Sequence, residues 1–467
     1  MYTPFGNFPE TLVISPETAR KARLEEWGKQ FALGTAGYRD QLDPHDFFST
    51  EVPFSAITMA IVAAARRDVA LRHGIRHLHI GGEVRPHTQN FIDLFARIYA
   101  AAGITAHLQA GASRTTPIWL SSFGVFYYGL DGGENFTASH SQSFKGGWKP
   151  MDQNGMQLLK MADEIRDRVR EITAFIARDG LKIELAAASD PRIVRDFDPL
   201  PAYVESLRHI VDDTGIETIR KALEGGLRVA VCTEGGSMGA AARRIFGMMH
   251  FPLDDHGIFF LYEPEDSNYH GIGIVDGVNH GVDPGKWQIY KRIGAQDLLR
   301  ERKADLVFIW DPDGDRFNIV TPAPAALAEK AQAAALEVDP LDADRCLVYF
   351  KPNQIYFLLT ALRTQALARD GLLNRYDFIA AVTYPTSRSI PAVARAIAAG
   401  HGADVRSVLV PVGFKYFGEL VTSVQEQLRR GGGSVTFTDA TGQTHHLGEN
   451  PRFLIMAEES GGAAMGT

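Results

Sequence analysis

In the stretch FIWDPDGDRFN, Asp311, Asp313 and Asp315 occupy alternate positions behind an apolar run, and Arg316 follows at once. In an extended or tightly turned loop such carboxylates project to one side, and their mutual repulsion is costly unless a cation neutralises it. Hard oxygen donors favour magnesium, manganese or calcium over zinc. A helix-flanked calcium loop fits poorly, because its last ligand position would be Pro322 rather than Glu and no helix leads in. The preceding LVFIW reads as a strand that aims the loop at the strand-end crevice of a parallel sheet.

Four further stretches carry chemistry-bearing side chains. NFTASHSQSFKGGWK offers the Ser139 hydroxyl, the His140 imidazole, and Lys145 and Lys149 around the pair Gly146 and Gly147. The glycines allow close backbone approach to a ligand, and the lysines supply charge for an anion or a proton for a leaving oxygen. FALGTAGYRD sets Gly34 and Gly37 around Thr35, with the Arg39 guanidinium just beyond. LVPVGFKYFGEL places Lys415 shortly after Gly413, and MAEESGG puts Glu458 and Ser460 on one loop as an acceptor pair for sugar hydroxyls.

The elements that must position these groups alternate. Helical periodicity in FSAITMAIVAAARRDVALRHG, TQNFIDLFARIYAAAG and QLLKMADEIRDRVREITAFIARDG is interleaved with strand-like HLHIGG, ITAHLQ, LRVAVC and DLVFIW. Beyond an Ala-rich insert near residues 322–344, CLVYF, FIAAV and RSVLV alternate with NQIYFLLTALRTQALARDG and IPAVARAIAAG. The pattern predicts three consecutive α/β domains with mixed, mainly parallel sheets covered by helices on both faces, and ligands at the carboxyl ends of strands. Boundaries are expected to give domains at 1–195, 196–335 and 336–467.

With 467 residues, 45% hydrophobic, the chain is long enough for several globular domains. A net charge of -8 argues against a nucleic-acid or anionic-membrane surface, so an acidic ligand must be held by a local cluster of basic groups. Both cysteines, Cys232 and Cys346, lie in apolar runs and read as buried hydrophobes in a reducing compartment. Without a signal-like start or a membrane-spanning run, the reading is cytoplasmic.

Taken in order, the five stretches resemble the motifs of the α-D-phosphohexomutases, the phosphoglucomutase and phosphomannomutase family. GTAGYRD is similar to the opening loop of that family, TASH with Gly147 and Lys149 to its phosphoserine loop, and DPDGDR to its metal loop. VGFKYFGEL resembles its specificity loop and AEESGG its sugar-binding loop, with smaller echoes in GGEVRPHTQNF, RTTPIW and NQIYFLL. The resemblance runs over most of residues 30–462. It implies interconversion of hexose 1-phosphate and 6-phosphate through a phosphorylated Ser139 and a bisphosphorylated sugar. It further implies Mg²⁺ held by Asp311, Asp313, Asp315 and Ser139, with glucose 1,6-bisphosphate or a similar sugar bisphosphate as activator. Ser139, His140, Lys149 and Arg39 are then the catalytic group. Thr35, Arg316, Gly413, Lys415, Glu458 and Ser460 bind substrate. The partner is a small sugar phosphate and neither nucleic acid nor membrane, for a monomer or homodimer.

Three departures bear on this expectation. Ser141 and Gln142 stand where the family usually has Asn-Pro, and are expected to reshape the loop. Gly462 replaces a histidine that some relatives carry as a candidate base, which leaves Lys149 or His140 for that task. The sequence stops at Thr467, before the fourth, phosphate-capturing domain that the resemblance leads one to expect, so impaired turnover is anticipated. The competing class is therefore a sugar-phosphate binding or regulatory module, or an enzyme fragment. A nucleotide-dependent oxidoreductase is disfavoured, because VCTEGGSMGA lacks the G-x-G-x-x-G spacing.

Overall fold

The computed structural model describes residues 8–34, 37–111, 115–431 and 433–466. Three main sheets follow one another along the chain. The first has six strands in the order Tyr38–Gln41, Lys145–Met151, Gly132–Phe136, His77–Gly82, Thr105–Gln109 and Ile193–Phe197. The last four run parallel, and the two at the other edge are antiparallel. Helices Ala56–Arg72, Thr88–Ala101 and Ala162–Asp179 close one face, where Ile61, Phe95 and Val169 pack with Leu78 and Ile80. Helix Ile118–Tyr127 covers the other through Val125, against Met151 and Phe197. Strands buried on both sides usually read as apolar runs, but this sheet also buries the polar His79, Glu134 and Asn135.

In the second sheet, Ile258–Leu261, Val229–Cys232 and Leu306–Trp310 are parallel, and Phe317–Pro324, Arg345–Phe350 and Glu337–Pro340 continue it antiparallel. Along Leu306–Trp310 the side chains alternate between two cores, Val307 and Ile309 on one side, Leu306, Phe308 and Trp310 on the other. The third sheet runs Val405–Val410, Asp377–Thr383, Pro451–Ala457 and Ala463–Ala464, parallel except at the last edge. It too has a core on each face.

The strand Arg345–Phe350, expected to open the third block, completes the second sheet instead, pairing with Phe317–Pro324 on one side and Glu337–Pro340 on the other. The expected boundary at 335/336 therefore cuts through a sheet. That at 195/196 likewise falls inside the edge strand Ile193–Phe197. A strand's sequence states that it is a strand, not which neighbour it joins. Among the described residues no helix is long and apolar enough to cross a membrane, and both cysteines are free and buried.

Candidate active site

Loops at the carboxyl ends of strands in all three sheets meet. Gly132–Phe136 delivers Thr137 to Ser139, Leu306–Trp310 delivers Asp311 to Arg316, and Pro451–Ala457 delivers Glu458 to Gly462. The first and second loops are joined directly. Ser139 Oγ donates to Asp311 Oδ2 at 2.7 Å, Thr137 Oγ1 lies 2.7 Å from Asp313 Oδ2, and Lys149 Nζ donates to the same oxygen at 3.1 Å. The Ile118 amide holds the Asp313 carbonyl (3.1 Å). A carboxylate oxygen from each of Asp311, Asp313 and Asp315 lies within 4.8 Å of the others.

Ser139 is fully buried and has φ 56°, a left-handed backbone that a serine adopts only when its surroundings enforce it. Its amide donates to Thr137 Oγ1 at 2.8 Å. The adjoining strand Lys145–Met151 approaches so closely that a Cβ on Gly147 would lie 2.0 Å from the Thr137 carbonyl oxygen, so glycine is required there. The same strand pairs Gly147 with Arg39, which brings that guanidinium to the site.

The charges are unequal. Burial, then Asp313 and Asp315, push the Asp311 carboxyl well above the usual range. Burial works the same way on Asp313, but Lys149, the hydrogen bonds from Asp311 and Thr137, and Arg316 outweigh it and hold that carboxyl low. Asp311 thus favours its proton while Asp313 stays ionised, a division expected of like charges at close quarters. Asp313 Oδ1 and Asp315 Oδ1 are buried and accept no hydrogen bond among the described residues. Unsatisfied carboxylate oxygens on clustered aspartates are a fit for a hard divalent cation.

His140 lies beside Ser139, with Nδ1 at 3.3 Å from Ser139 Oγ. Arg316 donates to that same Nδ1 at 2.9 Å. Burial first, then Arg316, push the imidazole down to about 4, so it is neutral near pH 7. Its lone pair at Nδ1 is engaged, and Nε2 stands 4.0 Å from Asp283 Oδ2. Arg316 also approaches Asp315 (3.6 Å) and Asp311 (3.9 Å). The Nε atoms of Arg39 and Arg316 are buried without a hydrogen-bond acceptor among the described residues. Two such donors suit an oxyanion.

The third loop reaches the site through Arg316, which bridges to Gly462. Ser460 Oγ donates to Glu458 Oε1 (2.5 Å), and burial raises the Glu458 carboxyl, with Ser460 and Arg316 opposing. Its neighbour Glu459 is held instead by Thr383 (3.1 Å) and Thr386 (3.3 Å). Gly413 precedes the helix Lys415–Arg430, and the intervening Phe414 borders Gly462. Lys415 Nζ sits 5.2 Å from the centre of the Tyr416 ring. No hydrogen bond or ion pair joins it to the Ser139 cluster among the described residues. Thr35 lies outside the described residues.

Sequence reasoning passed over Glu83 and Arg85, which follow the strand His77–Gly82 and grip the serine loop. Glu83 Oε1 accepts from the Ala138 amide (2.9 Å) and from Arg85 Nε (2.6 Å). Two charged residues directly after an apolar strand were the available signal. Asp283 and Gly281, in VNHGVDPG, carried none.

Residues 30–175 match the family model for the phosphoglucomutase/phosphomannomutase α/β/α domain I. A phosphomannomutase of Vibrio cholerae is 25% identical over 283 residues, covering 56% of this chain and 52% of that protein. One from Mycoplasma genitalium is 22% identical over 294 residues, covering 62% and 48%. The chain thus spans about half the length of the curated relatives it matches. Among solved structures, the Paramecium phosphoprotein pp63/parafusin, a phosphoglucomutase in an open form, superposes with a TM-score of 0.59 at 16% identity, over 93% of this chain and 66% of that one. At that identity the likeness is one of fold. With the site motifs in the same order as that family's, residues 30–175 match domain I of the phosphoglucomutase/phosphomannomutase family, and the chain as a whole is similar to the α-D-phosphohexomutases.

Proposed function

We propose that this chain is a phosphohexomutase whose Ser139 carries the phosphoryl group between the two ends of a hexose phosphate. The observation that carries the reading is the Ser139 Oγ to Asp311 Oδ2 hydrogen bond at 2.7 Å, which sets a nucleophilic hydroxyl against a triad of carboxylates suited to a cation. Asp311, Asp313 and Asp315 would hold Mg²⁺, with a Ser139 oxygen as a further donor. The ion would supply positive charge to the phosphoryl oxygens in flight.

The chain's own residues do the rest. Arg39 and Arg316 offer buried N–H donors to those oxygens, and Lys149 adds a third cation on the same side. His140, neutral and tied to Arg316, serves to orient that guanidinium rather than to take a proton at Nδ1. Glu458 and Ser460 face sugar hydroxyls, which must be gripped in two orientations if either end of the sugar is to meet Ser139. Activation by glucose 1,6-bisphosphate or a similar sugar bisphosphate follows, since Ser139 has to be charged before the first turnover.

The test is ³¹P NMR of glucose 1-phosphate or mannose 1-phosphate incubated with the chain, Mg²⁺ and a trace of the bisphosphate. Appearance of the 6-phosphate resonance with wild type and not with Ser139→Ala supports the reading. Equal conversion by both sinks it.

A further inference from the structure

We infer that Arg85 is a positioning residue that clamps the serine loop and so presents Ser139 to its phosphoryl donor, an inference that rests on the mutase reading for its catalytic consequence. Arg85 is 6% exposed. A guanidinium has five N–H donors, and here every one has an acceptor. Nε donates to Glu83 Oε1 at 2.6 Å. One terminal nitrogen donates to the carbonyls of Gln142 (2.9 Å) and Lys145 (2.8 Å). The other donates to the carbonyls of Ser139 and Ser141 (3.2 Å). Four backbone oxygens between residues 139 and 145 therefore converge on a single side chain.

Three of those carbonyls, of Ser139, Ser141 and Gln142, belong to a segment between Phe136 and Lys145 without helix or strand of its own, and the fourth, of Lys145, opens the next strand. Buried carbonyls left unpaired are costly, so the loop keeps this path only while the guanidinium fills its concave side. The left-handed Ser139 lies at one end of the clamp. Glu83 completes it from below, accepting from the Ala138 amide while neutralising Arg85. The Tyr269 ring, from the second sheet's side, lies 5.5 Å from the guanidinium and covers it. Ser141 and Gln142, where the family resemblance leads one to expect Asn-Pro, contribute through their carbonyls, which explains how the loop accepts other side chains there.

Lysine has a single nitrogen with three donors and cannot span four carbonyls and a carboxylate. The experiment compares the full chain with Arg85→Lys and Arg85→Ala by two readouts. In hydrogen–deuterium exchange both variants are expected to exchange faster across residues 137–145, with the strands Leu306–Trp310 and Asp377–Thr383 unchanged. In phosphorylation of Ser139 by glucose 1,6-bisphosphate with Mg²⁺, followed by intact mass, the rate at saturating bisphosphate is expected to fall about 100-fold in Arg85→Ala, the scale of an ångström-size misplacement of a reacting group. The half-saturating concentration should stay unchanged, and added methylguanidinium should restore part of the rate. Folded variants with wild-type exchange in the loop and wild-type phosphorylation overturn the clamp. So does faster exchange spread over all three sheets, which marks a general structural role. A wild-type chain that takes no phosphoryl group contradicts the mutase reading and leaves the clamp to the exchange readout, which decides it alone.

Discussion

Ser139 and Asp311, 172 positions apart in sequence and on different sheets, meet in a 2.7 Å hydrogen bond at the point where two strand-end loops converge. That contact ties the Ser139 hydroxyl to the carboxylate most inclined to keep its proton. Asp313, ionised and paired with Lys149, then carries the charge that a cation would meet first.

Replacing Asp313 by Asn should weaken divalent-cation binding by about 100-fold or more, since changes even to groups supporting a metal ligand cost 10- to 100-fold. Mn²⁺ titration followed by electron paramagnetic resonance checks this. The Lys415→Ala variant, whose side chain lies over the Tyr416 ring and makes no ion pair with the carboxylates among the described residues, should bind Mn²⁺ as wild type does.

Gly281 has φ 74°, and a Cβ there would lie 2.5 Å from the His140 carbonyl oxygen. Its neighbour Val282 donates its amide to that same carbonyl at 2.9 Å. Gly281→Ala should therefore push the second sheet's loop off the serine loop and cost about 1–3 kcal/mol. A lowered urea midpoint, together with slower phosphorylation of Ser139, is the expected result.

Beneath the site, Glu134 is fully buried and accepts from Tyr99 OH (2.5 Å) and Trp148 Nε1 (2.6 Å), with Arg66 Nε at 3.4 Å. Glu134→Ala strands the buried Arg66 charge and should destabilise the fold by about 3–5 kcal/mol. Denaturant unfolding measures it, and a loss no larger than that of an exposed substitution would refute the role given to this network.

His79 is buried, stacked on Phe197 and hydrogen-bonded to Ser121 Oγ and the His107 carbonyl. Burial pushes it down to about 3, the His107 carbonyl opposing. The folded state therefore binds its proton less readily than the unfolded chain, whose imidazole titrates near 6.5. The stabilisation is complete above that value and declines as the pH falls towards about 3, by about 1.4 kcal/mol per pH unit. Thermal midpoints measured down this range should fall more steeply for wild type than for His79→Gln.

The aspartate loop was legible because its signal is local: an apolar strand, then three carboxylates at alternate positions, which the structure gathers into one cluster. The order of the motifs likewise gave Arg39, His140 and Lys149, which the structure brings together around Ser139. Arg85 escaped because its task is set by the backbone of a segment more than 50 positions away, and nothing in GGEVRP announces four distant carbonyls. Glu134 and Arg66 escaped for a related reason, since a buried ion pair is known only once the fold places both partners. Lys415, named from a motif as a substrate-binding residue, lies over the Tyr416 ring. The strand Arg345–Phe350 was recognised and assigned to the wrong sheet, because pairing preference between antiparallel neighbours is not written in the strand itself.

The most direct measurement is the intact mass of the chain after incubation with Mg²⁺ and glucose 1,6-bisphosphate, with peptide mapping across TASHSQSFK. The account predicts one added phosphoryl group, on Ser139, lost again when glucose 1-phosphate is supplied and never gained by Ser139→Ala. A chain that binds Mg²⁺ but gains no phosphoryl group, or gains one elsewhere, would contradict it and favour a sugar-phosphate binding module.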